Sequence, residues 1–210
     1  MATAIIFGAT GGIGSALARQ VAGEGRYRLV LSGRRAALSG LAQSLGAEAL
    51  STDLGVELEV HALFELTGPC DLLIYAAGAV DPTPLREMTS GSWQQLMDAN
   101  LTGAFYALKH ARFNPGAQVV LLGVYPEFVQ APRFGAYAAS KAGLEALAEV
   151  ARKELRRDKV GVTLVRLPAV ETGLWQPLGK APKGALDPKD AAAQILDGLK
   201  DAPPVLELGR

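Results

Sequence analysis

Residues 3–14, TAIIFGATGGIG, decide the fold. Thr3 to Phe7 form a nearly continuous apolar run, the pattern of a strand buried on both faces. Gly8, Gly12 and Gly14 follow with the spacing G-x-x-x-G-x-G, and helical periodicity runs from Ile13 to Ala22. Strand, glycine turn and helix in that order suit a dinucleotide. The glycines let the backbone turn sharply and come close to a pyrophosphate. The helix that follows offers free N–H groups and the positive end of its dipole. Gly8, Thr10, Gly11, Gly12, Ile13 and Gly14 are therefore candidate cofactor contacts.

Similar apolar runs recur at residues 27–31 (YRLVL), 71–77 (DLLIYAA), 118–122 (QVVLL), 162–167 (VTLVRL) and 205–208 (VLEL). Helical segments separate them: Leu54 to Leu66, Thr89 to Phe113, and a stripe of Leu144, Leu147, Ala148, Ala151 and Leu155. Asp187 and Pro188 have the character of an N-cap and a first-turn proline opening a late helix. Alternating strands and helices predict right-handed crossovers and an α/β fold: a Rossmann-type doubly wound parallel sheet in three α/β/α layers. No domain boundary or internal repeat interrupts residues 1–210, so a single domain is expected. The Pro/Gly-rich stretch 176–188 reads as a loop within it.

The chain of 210 residues is 49% hydrophobic and 20% charged, and its formal net charge is zero. Nothing in that balance points to nucleic acid or an anionic membrane. The basic run Arg152 to Arg157 contains Glu154 and reads as a solvated helix face. Cys70 is the single cysteine, so no internal disulfide is expected, and its place beside a buried run suggests a structural thiol. His61 and His110 each stand alone in sequence, without ligands at metal spacing, and no metal is expected. No signal peptide or run long enough to span a bilayer is read, and a cytoplasmic location is the expectation.

The second strand ends in Ser32, Gly33, Arg34 and Arg35. An acidic residue here would bond the adenosine ribose and select NAD(H). A guanidinium instead pairs with a 2′-phosphate through bidentate, charge-assisted bonds, which favours NADP(H). Asp53 and Leu54, after the third strand, are further candidates. Asp53 could accept from the adenine amino group or cap the next helix.

With these elements in place, the chain resembles the short-chain dehydrogenase/reductase family. The resemblance spans nearly the whole sequence and rests on ordered markers: GATGGIG (8–14), STDL (51–54), YAAG (75–78), DANLTGAFY (98–106), YAASK (137–141) and LPAVET (167–172). It implies hydride transfer between NADP(H) and a small carbonyl or alcohol substrate. It also implies that Tyr137 exchanges the substrate proton, that Lys141 lowers the tyrosine pKa and bonds the nicotinamide ribose, and that Asn100 supports a proton relay. Tyr137 and Lys141, four apart on a helix, share one face. Ala76, Ala77 and Gly78 would lie beside the cofactor, with Tyr75 where the family has asparagine. Pro168, Val170 and Thr172 would meet the nicotinamide, Thr172 at its amide, although Ala169 stands in place of the family's glycine. Family dimers and tetramers pair the helix that carries this tyrosine, so a homodimer or homotetramer is implied.

One family feature is absent. The serine that helps polarise the substrate carbonyl falls on Val124. Loss of one positioned donor costs on the order of 10²–10³ in rate. Three readings stay open: another donor substitutes, with Tyr125 the first candidate; the substrate is an intrinsically reactive carbonyl; or the chain is an NADP(H)-binding sensor or scaffold of the same fold. Leu174, Trp175, Phe128, Val129 and the loop from Ala79 to Leu85 are candidate walls of the substrate site.

Overall fold

The computed structural model describes residues 1–33 and 35–209, with the side chains of residues 35 and 36 outside that description. Seven parallel strands form one sheet: β1 (Ala2–Phe7), β2 (Tyr27–Ser32), β3 (Glu48–Ala49), β4 (Cys70–Tyr75), β5 (Phe113–Val124), β6 (Gly161–Leu167) and β7 (Val205–Glu207). Their spatial order is β3-β2-β1-β4-β5-β6-β7. The chain builds outward from β1 to one edge, then returns to β4 on the other side. The order therefore reverses between β1 and β4, at the carboxyl end of which an α/β sheet opens its binding crevice.

The apolar runs are continuous because every central strand is covered twice. Ala4 and Ile6 face a core closed by α1 (Gly12–Gly23), α2 (Arg35–Leu45) and α8 (Pro188–Gly198). Ile5 and Phe7 face a second core closed by α3 (Glu57–Thr67), α5 (Gly103–His110) and α7 (Gly135–Leu155), the last preceded by the single turn α6 (Pro126–Val129). Leu72 and Ile74 against Leu73 and Tyr75 repeat this alternation on β4. The period of two is present, but both phases are apolar.

The expected helix from Thr89 is broken in a particular way. Thr89 caps α4 (Ser90–Met97) by accepting from Ser92 N. A π-turn, Asp98–Thr102, then joins α4 to α5, with Gly103 N donating to Asp98 O. The helix stops at His110, and Phe113 already belongs to β5, which is longer than its apolar centre because it begins before a register shift against β4. Among the described residues no helix is long and apolar enough to cross a membrane.

Candidate functional site

A cleft of about 1170 Å³ runs along the carboxyl ends of the strands. One end is the glycine turn. Gly8 has φ +73°, in the left-handed region, and a Cβ there would lie 2.4 Å from Ala77 N. The turn is closed by Gly11 N donating to Gly8 O and by Ala9 N donating to Ser32 O, both 2.9 Å. Helix α1 starts at this turn with no side-chain cap at Gly11, which leaves its first N–H groups for a ligand. Bare backbone and an uncapped helix start fit the pyrophosphate of a dinucleotide.

Most of the expected cofactor contacts line the cleft together: Gly8 and Thr10 through Ile13, Ser32 and Gly33, Asp53 and Leu54, Ala76 through Gly78, Tyr137, Lys141 and Thr172. Gly14 lies beneath the turn, where a Cβ would meet Gly8 O at 2.1 Å. Arg34 lies outside the described residues. Asp53 accepts from Gly55 N (2.9 Å), a local turn, while Val56 begins α3. Thr172 accepts from Leu174 N and packs so closely on Gly12 that a Cβ there would meet its Cγ2 at 2.5 Å. The segment after β6 thus closes down on the glycine turn.

Pro168 and Val170 do not line the cleft. Val170 is buried in the α1/α8 core, bridges to Leu186, and its carbonyl accepts from the Trp175 indole (2.8 Å). Pro168 packs where Gly209 passes. Of the expected walls, Leu174 lines the cleft and Val129 packs in the cluster around Tyr137. Phe128 is exposed and lies edge-on to Tyr125. Gln95, Asp98, Gln176 and Pro177 also line the cleft. Asp98 opens the marker DANLTGAFY, but no marker singles out Gln95, Gln176 or Pro177, because α4 and the turn after Thr172 reach the site only through tertiary packing.

At the far end, α7 presents Tyr137 and Lys141, both buried. Lys141 Nζ donates to Leu122 O on β5 (2.8 Å) and lies 5.8 Å from the centre of the Tyr137 ring. Burial sets the pKa of each. Lys141 is brought down to about 8, and Tyr137 is pushed up to about 12. Burial alone accounts for the raised tyrosine, since removing a phenolate from water is costly, and the expected lowering by the lysine is not seen in it.

Asn100 sits in the π-turn, fully buried and off the cleft surface. Its Oδ1 accepts from Ala79 N (2.7 Å), and its Nδ2 donates to Ala79 O and to Ser140 Oγ, both 2.9 Å. Ser140 in turn donates to Tyr137 O (2.8 Å). Asn100 therefore clamps the loop after β4 to the helix carrying Tyr137. Tyr75, where the family has asparagine, donates to Ala99 O (2.9 Å), beside Asn100. Gly103 gives it room, since a Cβ there would be 2.4 Å from the phenol oxygen.

Val124 lines the cleft and packs with the Tyr137 cluster. Tyr125 does not. Successive side chains on a strand end point to opposite sides, and the buried Tyr125 hydroxyl donates to Leu208 O (3.0 Å). The surrogate-donor expectation for Tyr125 is thus corrected. Two further expectations meet the structure. His61 and His110, far apart in sequence, bring their rings together, tilted at 53° with centres 4.7 Å apart. Cys70 is buried, and burial pushes its thiol up to about 12, as suits a structural thiol.

Known proteins now place this geometry. The family profile described as short chain dehydrogenase matches residues 2–183. The chain belongs to the short-chain dehydrogenase family. It is 30% identical over 186 residues to 3beta-hydroxysteroid dehydrogenase 1 of Eggerthella lenta, covering 81% of this chain and 71% of that protein. A candidate short-chain oxidoreductase from Thermus thermophilus is 52% identical, with TM-score 0.88 over 93% of this chain and 95% of that one. A short-chain dehydrogenase from Sphingobium yanoikuyae, solved with NADPH, is 23% identical with TM-score 0.85 over 99% of this chain and 87% of that one, a likeness of fold. The chain is thus an oxidoreductase of short-chain dehydrogenase type.

Proposed function

We propose that this oxidoreductase binds NADP(H) along the cleft and interconverts a small carbonyl compound and its alcohol. When bound, the nicotinamide supplies or accepts the hydride. The chain's own residues do the rest. The observation that carries the reading is the continuous cleft from an uncapped helix start at Gly11–Gly12 to Tyr137 and Lys141 on one face of α7. In this reading Tyr137 gives its phenolic proton to the substrate oxygen, or takes it in the reverse direction. Lys141 serves as a nearby cation, and Asn100 holds the wall and the helix in register. The lack of an acidic residue at Ser32 and Gly33, the presence of Arg34, and NADPH in a structure of the same fold support NADP(H) over NAD(H). A cytoplasmic dimer or tetramer is part of the same reading.

Fluorescence titration tests the cofactor: NADPH is expected to bind at least tenfold more tightly than NADH, and binding of neither overturns the reading. A panel of aldehydes, ketones and quinones tests turnover. Tyr137→Phe is expected to lower kcat by about 10²–10⁴, the usual contribution of a positioned acid–base group, while NADPH still binds. One observation favours a second reading, an NADP(H)-binding sensor: Val124 supplies no donor where the family has serine. NADPH binding with no turnover across the panel would select it.

A further inference from the structure

A second cavity, of about 280 Å³, opens beside the cleft and shares Ala79, Val80, Gln95 and Pro177 with it. Its inner wall is set against the acid–base end of the site, because Val80 and Leu96 pack in the same cluster as Tyr137 and Val124. Val80, Pro82, Leu96 and Pro177 make an apolar belt around it, and Asp81, Gln95 and Ser92, whose hydroxyl already accepts from Thr89 Oγ1, are polar points within it.

Two features separate Asp81 from an ordinary solvated loop carboxylate. First, the loop is fixed on both sides of it. Asn100 holds Ala79 through both its N–H and its carbonyl. Arg133, itself in the left-handed region at φ 74°, donates from Nε to Pro82 O (2.6 Å). Leu85 then docks over Gly135 at the start of α7, so tightly that a Cβ there would meet Leu85 Cδ2 at 2.4 Å. The wall is thus built into the network that holds Tyr137, and a group fixed beforehand binds without the cost of ordering it. Second, Asp81 keeps binding capacity. Its Oδ1 accepts from Thr83 Oγ1 (2.5 Å). Its Oδ2 and the Gln95 carboxamide make no hydrogen bond to a described residue, and no described cation pairs with the carboxylate.

We infer that this cavity receives the far end of the substrate and selects a carbonyl compound that carries, on an apolar skeleton, a hydrogen-bond donor for Asp81: a hydroxyl or a protonated amine. The inference rests on the proposed carbonyl chemistry at Tyr137. The belt holds the skeleton, Asp81 Oδ2 accepts from the donor, and Gln95 offers a second contact. A hydrogen bond to a charged acceptor is strong enough to discriminate about 10- to 100-fold. It also gives the site a polar handle on the substrate remote from the reacting carbon.

The test uses three ketones of matched size: para-ethyl-, para-hydroxymethyl- and para-aminomethylacetophenone, with NADPH and the full chain. A donor-bearing ketone is expected to exceed the ethyl ketone in kcat/KM by about tenfold or more. The preferred one separates hydroxyl from ammonium. In Asp81→Asn and Asp81→Ala the ratio is expected to fall toward one with the Kd for NADPH unchanged, and in Gln95→Leu the ratio is expected to fall less. Preference for the ethyl ketone in the wild type, or a donor preference that survives Asp81→Ala, overturns the inference. Where NADPH binds and neither these ketones nor the panel of aldehydes, ketones and quinones is turned over, the carbonyl reading fails. The cavity is then judged separately from the Kd of each ketone for the NADPH complex, read by quenching of cofactor fluorescence. Equal values overturn the inference there too.

Discussion

The glycine turn at Gly8–Gly14 and the end of β5 at Leu122–Tyr125 both face the cleft, but they are built on different principles. The turn works through backbone shape. Its glycines stand where a Cβ would strike Ala77 or Gly8 itself, and its α1 N–H groups are bare. The strand end works through individual side chains. Val124 meets the Tyr137 cluster, Tyr125 turns the opposite way, and the Leu122 carbonyl receives Lys141. A backbone device tolerates no side chain. A side-chain device can be re-equipped one residue at a time, and Val124 in the family's serine position is such a change.

The sharpest way to break the comparison is Gly8→Ala. Positive φ and a Cβ 2.4 Å from Ala77 N act together, so NADPH binding is expected to weaken by at least about 100-fold, with a drop in stability of several kcal/mol. Gly25 is the control. It has a similar φ of +67° but no atom within 4 Å of an added Cβ. Gly25→Ala is expected to cost about 1 kcal/mol and leave the NADPH Kd unchanged. Equal losses of NADPH affinity in the two variants would show that strain alone, and not the close approach to Ala77, governs the turn.

The strand end also meets the buried titrating pair of α7, which the glycine turn lacks. Folding brings Lys141 down to about 8 from its usual 10.5. Between about pH 8 and 10 the unfolded chain therefore binds more protons at this site than the folded one, and stability rises with pH across that window. Tyr137, held up at about 12, acts in the opposite sense above about pH 10, where the folded state keeps a proton the unfolded state has lost. Urea unfolding at pH 8, 9 and 10 should show wild type gaining on Lys141→Met by on the order of 2 kcal/mol. A constant difference across the three pH values would mean that the folded lysine titrates normally.

Val124→Ser asks whether the strand end can be re-equipped. Val124 lines the cleft beside Tyr137, so a hydroxyl there should restore part of the missing polarisation. A gain in kcat/KM of about tenfold is expected, part of the 10²–10³ that a well-placed donor contributes. No gain on any turned-over ketone would place the reacting carbonyl away from this residue.

What was legible in the sequence follows the same division. The doubly wound sheet was readable because strands covered on both faces must be apolar in both phases, as Ile5 and Ile6 are. The glycine turn was readable because only glycine fits at Gly8. The pairing of Tyr137 with Lys141 followed from helical spacing. The orientation of Tyr125 was not readable. Adjacency in sequence suggested a donor, but on a strand adjacency means opposite sides, and the partner, Leu208, lies 83 residues away. The meeting of the His61 and His110 rings, the turn of Val170 into the core, and the placing of Asp81 and Gln95 on one cavity likewise depend on tertiary packing. No local pattern encodes those contacts. For Asp53 the spacing suggested a cap of the next helix, and the turn it makes instead, accepting from Gly55 N, was not read.

The smallest expected effect is the most pointed test of orientation. Tyr125→Phe removes one hydroxyl whose acceptor, Leu208 O, belongs to a buried residue at the end of the chain. The ring and its edge contact with Phe128 stay. Loss of one buried hydrogen bond costs about 1 kcal/mol, or a fall in Tm of about 2–4 °C for a domain of this size. Because the hydroxyl points away from the cleft, kcat/KM should stay within about twofold of wild type. If instead kcat/KM falls tenfold or more while Tm holds, the phenol works in the cleft. The strand end would then have replaced its missing serine with the very next residue, and the division between a rigid backbone cradle and an altered side-chain site would have to be redrawn around Tyr125.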